Sequence, residues 1–279
     1  MIPRALTIAT SDSGGGAGIQ ADLKAFAAAG VYGTSVLVAL TAQNTVGVTA
    51  IHELPPAFVR AQLDAVFDDI GVDAAKTGML FSRELIETVA DYLTRRPVPL
   101  VVDPVLVASS GAKLLEDDAV QVLVGRLFPL ATVVTPNLLE AQVLTGASDN
   151  LSLASDLLGT KAAPASSNNL SLASKRELAE RLHELGARAV IVTGGHGEPV
   201  DHLFDGVTHT EIPVSRHDVA ATHGAGCTHS ATLAALLARG ERLLDAARGA
   251  ADAASRAVAQ GLAELGSGEG PVDVLGVRR

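Results

Sequence analysis

The sequence predicts an α/β fold: a mostly parallel central sheet with helices on both faces and a small hairpin at one edge. Three observations predict it. Short apolar runs alternate with longer amphipathic segments along most of the 279 residues, the pattern of repeated strand–helix–strand units. Hydrophobic residues make up 48% of the chain, enough to cover both faces of a sheet. Two alternating runs flank Asp205-Gly206, a dipeptide typical of antiparallel hairpins.

Taken in order, Ala5–Ala9 is the first strand. A glycine cluster follows. Then comes a helix in which Ile19, Leu23 and Phe26 share a face and Gly30 ends the pattern. Ser35–Leu40 is the second strand, and residues 56–70 form a helix with Phe58, Gln62/Leu63, Val66 and Ile70 on one side. "VDAAKTGM" is a short strand. "SRELIETVADYLTRR" is a helix with Ser82 at its N-cap, and "PLVVDPV" is a strand ended by Pro104. Residues 117–127 are helical, and 131–137 are a strand and turn. A helix stopping at Gly186 precedes the strand "RAVIVTGG". The Asp205-Gly206 hairpin suits a type I′ turn. Two alanine-rich helices, 227–239 and 241–262, flank Gly240. One segment stands apart: "SDNLSLAS" (148–155) returns as "SNNLSLAS" (167–174). It is polar and small in composition, and reads as a surface insertion at 148–174 within one domain spanning 1–279.

Charge narrows the function classes. The formal net charge of −10 argues against nucleic acid or anionic membrane as partners, since both attract Lys/Arg fields. A single cysteine excludes an internal disulfide and fits a reducing compartment. The N-terminal apolar run is too short for a signal peptide or a membrane span. The expectation is a soluble, cytoplasmic protein acting on a small molecule.

The lone cysteine lies in "ATHGAGCTHS" (Ala221–Ser230), where Gly224 and Gly226 lead into a helix. A helix start leaves amide hydrogens unpaired and adds a partial positive charge, so the turn is suited to a phosphoryl group. The same field is expected to lower the Cys227 pKa, making it a base or hydrogen-bond partner near neutral pH. These residues equally fit a plain glycine turn with an inert buried thiol. "TSDSGGGAGIQADLK" (Thr10–Lys24) places three glycines between strand and helix, where a ligand can approach closely, but matches no Walker or dinucleotide pattern. Asp22 lies one turn into that helix; it would face the ligand or simply complement the dipole. Asp103 ends an apolar strand, where α/β sheets place ligands, and its carboxylate suits Mg²⁺; Asp-Pro is also an ordinary turn starter. Asn137 and Glu140 have capping-box spacing, with a metal and phosphate edge as the functional alternative. His217, His223, Cys227 and His229 fall close together, but their spacing matches no standard zinc pattern.

Together, "LTIATSDSGGGAGIQADLKAF", "VYGTSVLVALTAQNTVGV", "AAKTGML", "VVDPVLVASSG", "FPLATVVTPNLLEAQVLTG" and "THGAGCT" form an ordered set. In order and composition it resembles the hydroxymethylpyrimidine/phosphomethylpyrimidine kinases of thiamine biosynthesis, within the ribokinase-like superfamily. The resemblance runs over nearly the whole chain and fails at the duplicated insertion. It implies a ribokinase-like homodimer that uses ATP and Mg²⁺ to phosphorylate 4-amino-5-hydroxymethyl-2-methylpyrimidine and its monophosphate. It further implies that the pyrimidine hydrogen-bonds Gln43 and Asp22, with Ala17, Met79 and Val105 around its ring. Asp103 and Glu140 would face the metal, and Asn137, Thr193 and Gly195 the nucleotide. The backbone of Gly224, Ala225, Gly226 and Cys227 would hold the transferring phosphoryl. Three family lysines are absent, at Ser109, Thr193 and Ala220. Each lost charge-assisted contact would cost on the order of 1–3 kcal/mol, with Lys76 and Lys113 as candidate substitutes. A pyridoxal/pyridoxine kinase, or a pyrimidine-binding relative with weakened catalysis, are the alternatives.

Overall fold

A computed structural model describes residues 1–106, 117–146, 172–194 and 198–278. The strands are β1 (Arg4–Asp12), β2 (Tyr32–Gln43), β3 (Val48–Glu53), β4 (Ala74–Thr77), β5 (Leu100–Val102), β6 (Val133–Val134), β7 (Val190–Val192), β8 (Val200–Phe204) and β9 (His209–Pro213). Among the described residues they form one sheet in the order β3-β2-β1-β4-β5-β6-β7-β8-β9. The six strands from β2 to β7 run parallel. β3, β8 and β9 each pair antiparallel with the preceding strand at the two edges. The chain steps from β1 outward to β2 and then back across to β4. The strand order therefore reverses beside β1, and such reversals open a crevice at the carboxyl ends of the strands.

Period-two alternation explains how both faces are covered. Leu6, Ile8, Val36, Val38, Val102 and Val134 point to one core. Helices α2 (Pro56–Ala65), α3 (Arg83–Arg95), α4 (Asp117–Val122), α5 (Leu138–Leu144) and α6 (Leu172–Glu184) cover that face through residues such as Val59, Leu63, Ile86, Ala119, Ala141 and Leu182. Ala5, Val101, Val133 and Ile191 point the other way. They meet α1 (Gly18–Ala28), α7 (Ala225–Ala238) and α8 (Leu243–Ala259) through Phe26, Leu233, Ala234, Ala247 and Ala250. The alanine content of α7 and α8 lets these helices pack closely.

Three local expectations change. The sheet has two edge hairpins instead of one. The second strand of the unexpected hairpin, β3, exposes nearly every residue and so carries no apolar alternation to reveal it. In the β8–β9 hairpin the last pair is Phe204↔His209, so four residues connect the strands, not a two-residue type I′ turn. The Asp205 carboxylate shapes this longer loop by accepting from the Val207 and Thr208 amides at 3.0 and 2.7 Å. On α2 the buried face is Val59 and Leu63, while Phe58 points to solvent. The duplicated stretch at 148–174 lies almost wholly outside the described residues, and α6 takes up the chain at its end.

These packing assignments make a direct prediction for unfolding in denaturant. Phe26→Ala, in a fully buried position, is expected to cost about 3–5 kcal/mol. Phe58→Ala is expected to stay within about 0.5 kcal/mol of the parent.

Candidate active site

The carboxyl ends of β1, β4, β5, β6 and β7 bring Asp12, Met79, Asp103, Asn137 and Thr193 to one edge of the sheet, where α7 begins. The glycine loop after β1 turns inward. Asp12, only 4% exposed, accepts from the amides of Gly14, Gly16 and Ala17 at 2.8, 3.1 and 2.9 Å. The Gly15 amide bonds the Asp12 carbonyl. Burial pulls the Asp12 carboxyl upward, but the hydrogen bond from His223 and those from Ala17 and Gly14 outweigh it, leaving it below the usual carboxylate range. These glycines therefore serve close packing around a carboxylate; their amides do not face a ligand.

The second glycine turn is different. Gly224 is the N-cap of α7 with φ +83, and a Cβ there would sit 1.9 Å from the Gly16 carbonyl oxygen. Only glycine satisfies both the left-handed conformation and that approach. The Ala225 amide is taken by the Thr222 carbonyl at 3.0 Å, unlike the amides of the two residues that follow. The amides of Gly226 and Cys227 have no protein partner among the described residues, and Gly226 is exposed. This is the open, positive end of a 14-residue helix.

Beneath the turn lies a buried charge cluster. The Lys76 ammonium, on β4, is fully buried and bonds both Asp22 oxygens at 2.9 and 3.0 Å. Asp103 Oδ2 lies 3.6 Å from it and accepts from the Ser230 hydroxyl at 2.8 Å. Thr7 donates to Asp22 at 2.6 Å. Burial lowers the Lys76 pKa, yet Asp22, then Cys227 and Asp103, outweigh it and the net shift is upward. Lys76 is thus a charged internal ion, not a substitute for a phosphate-binding lysine. Asp22 is also fully buried, with both oxygens bonded to Lys76 and one to Thr7, which anchors α1 to β4 and β1.

The half-buried Cys227 thiol adjoins this cluster. Burial pushes it up to about 12; Lys76 and the Gly18 amide pull the other way, and Asp22 and Asp103 add to the rise. The expected lowering by the helix start is reversed. A helix terminus is worth roughly 0.3–1 kcal/mol, less than one pKa unit of about 1.4 kcal/mol, so desolvation and two nearby carboxylates overcome it.

Asn137 and Glu140 form a full capping box: each side chain accepts from the other's backbone amide at 2.9 Å. Burial and the facing Asp103 raise Glu140 to about 8. Burial first, and Asp103 second, incline Glu140 to hold its proton, and a divalent cation would neutralise such a pair of carboxylates at the strand end. The Thr193 amide bonds the Pro136 carbonyl at 2.9 Å, joining the ends of β6 and β7. Gly195, Ser109 and Lys113 lie outside the described residues, and Ala220 is exposed.

Of the expected pyrimidine contacts, Met79 is buried, and Ala17, Gln43 and Val105 are half-buried at the carboxyl edge. Ser13 ties the Gln43 backbone to the glycine loop, donating to its carbonyl at 2.7 Å and accepting from its amide at 2.8 Å. Thr41 holds the Gln43 Oε1 at 3.1 Å. The histidines scatter to separate partners: His217 to Ser255, His223 to Asp12 and His229 to Asp201. No group of three or more metal-ligating side chains occurs among the described residues. The sequence offered Lys76 only as a substitute for a missing phosphate lysine and did not single out Ser230; their links to Asp22 and Asp103 come from the fold alone.

The Glu140 shift fixes a pH dependence. Its carboxyl is easier to ionise in the unfolded chain, so stability falls as pH rises from about 4.5 toward 8. Without divalent cation, Glu140→Gln is expected to melt above the parent at pH 8 and close to it at pH 5, by scanning calorimetry.

A family model described as phosphomethylpyrimidine kinase matches residues 12–273. The hydroxymethylpyrimidine/phosphomethylpyrimidine kinase of Rhizobium meliloti is 47% identical over 96% of this chain and 95% of its own length. The thiamine biosynthesis bifunctional protein ThiED of Geobacter sulfurreducens is 51% identical over 96% of this chain, which spans 51% of that longer protein. Among solved structures, the pyridoxal kinase of Bacillus subtilis, an ADP complex, superposes with a TM-score of 0.84. It is 35% identical, and the match covers 100% of this chain and 99% of that one. Matches of this extent make the chain a member of the phosphomethylpyrimidine kinase family.

Proposed function

We propose that the protein transfers the γ-phosphoryl of ATP to the hydroxymethyl oxygen of a 4-amino-5-hydroxymethylpyrimidine and then phosphorylates the resulting monophosphate. The carrying observation is the open start of α7, with the unpartnered amides of Gly226 and Cys227 beside a half-buried thiol. In the transfer, the hydroxymethyl oxygen bonds phosphorus as the bond to the ADP oxygen breaks, and the hydroxyl proton passes to a phosphoryl oxygen and from there to solvent. These amides receive charge that develops on the equatorial phosphoryl oxygens. With its pKa near 12, Cys227 holds its proton at neutral pH and acts as a hydrogen-bond partner that orients the substrate oxygen. Phosphoryl transfer asks mainly for positioning and electrostatics, so a neutral partner suffices.

Gln43, Met79, Val105 and Ala17 supply the amide group and apolar walls for the ring. Asp103 and Glu140 would hold Mg²⁺, and their crowding supports that assignment. Bound there, Mg²⁺ would supply charge neutralisation to the phosphates. Among the described residues none of the three missing lysines has an evident replacement, which favours weak nucleotide binding. A free thiol at the reaction centre suits a reducing, cytoplasmic compartment. No described helix is long and apolar enough to cross a membrane. A homodimer is part of the same family-based reading.

A coupled ADP-release assay tests the reading with hydroxymethylpyrimidine and pyridoxal side by side. The pyrimidine is expected to give the higher kcat/KM; preference for pyridoxal would reassign the substrate. Cys227→Ala is expected to lower kcat by about tenfold, the loss of one orienting hydrogen bond of about 1.4 kcal/mol. Pyrimidine binding without turnover at saturating MgATP would replace transfer with a binding role.

A further inference from the structure

His223 immediately precedes Gly224, and three separate segments converge on it. Its side chain reaches the Asp12 carboxylate, Nε2 to Oδ2 at 3.3 Å. Its backbone pairs with the C-terminal segment: the His223 amide bonds the Gly270 carbonyl at 3.3 Å, and the Val272 amide bonds the His223 carbonyl at 3.0 Å. Its ring packs so tightly on Gly16 that a Cβ there would lie 2.4 Å from His223 Cδ2. Asp12 in turn gathers the amides of Gly14, Gly16 and Ala17. One carboxylate thus fixes the first glycine turn and, through His223, the second.

We propose that Asp12 and His223 form a clasp that sets where the α7 amides point, with His223 as a positioning residue for phosphoryl transfer. This rests on the kinase reading and deepens it, since Asp12 also holds the amide of Ala17, one of the expected ring contacts. The second turn wedges against the first at Gly16–Gly224, so a shift of either displaces the Gly226 and Cys227 donors. Misplacement on the order of 1 Å can cost about 10²-fold in rate without weakening substrate binding.

The test uses His223→Leu, which keeps bulk and removes the donor, and His223→Gln, which keeps an N–H at similar reach. Two readouts are compared: kcat and KM for hydroxymethylpyrimidine at saturating MgATP, and the maleimide labelling rate of Cys227, the only cysteine in the chain. His223→Leu is expected to lower kcat on the order of 100-fold with KM within about threefold, and to label several-fold faster. His223→Gln is expected to restore both. Should the leucine variant not fold, Asp12→Asn is measured in the same way, with the same expected change in kcat and labelling. Unchanged labelling, unchanged kcat, or a glutamine variant as impaired as the leucine one overturns the clasp. If the parent protein shows no turnover, the kinase reading falls, and the labelling rates alone decide the clasp.

Discussion

The site depends on one buried cation. Lys76 reaches up from β4 and neutralises Asp22 of α1 while lying within 3.6 Å of Asp103 at the end of β5. Ser230 of α7 completes the group through Asp103. Four elements are therefore pinned together at the point where the sheet order reverses. A buried ion pair seldom adds net stability, because desolvating two charges costs about as much as their attraction returns. Its effect here is geometric. It fixes which Asp103 oxygen is engaged by protein, leaving Oδ1 without a protein partner among the described residues.

The two glycine-rich turns divide the labour at this edge. The first folds around Asp12 and presents little free backbone. The second stands against it, held at the distance that only Gly224 permits, and keeps two amides open. A close-packed inner turn makes a rigid backing for the outer turn and its two open amides. The C-terminal segment at Gly270–Val272 braces the same turn from behind, so residues far apart in the chain share one small structure.

Electrostatics at the site are tuned against early ionisation. Burial and neighbouring carboxylates keep both the Cys227 thiol and Glu140 inclined to hold protons. Such groups respond when compensating charge arrives. The arrangement suits a centre whose reactants bring both negative phosphate and positive counter-ion with them.

The sequence by itself determined the alternation that makes a mostly parallel sheet, because burial on both faces writes apolar runs directly into the chain. It also determined the helix starts that local chemistry dictates: Ser82, the Asn137/Glu140 box, and the glycine turn before Cys227. These are short-range effects of residue type and spacing. Tertiary structure decided whatever depends on what packs above. The edge strand β3 left no mark, since a strand exposed on both sides needs no pattern. The outward turn of Phe58 depended on which face of α2 met the sheet. Asp22 reads as a ligand contact in sequence, and nothing local announces that Lys76, 54 positions away, bonds both its oxygens. The Cys227 pKa moves opposite to the helix-start expectation for the same reason. Desolvation and buried charge come from distant segments, and no local motif encodes them.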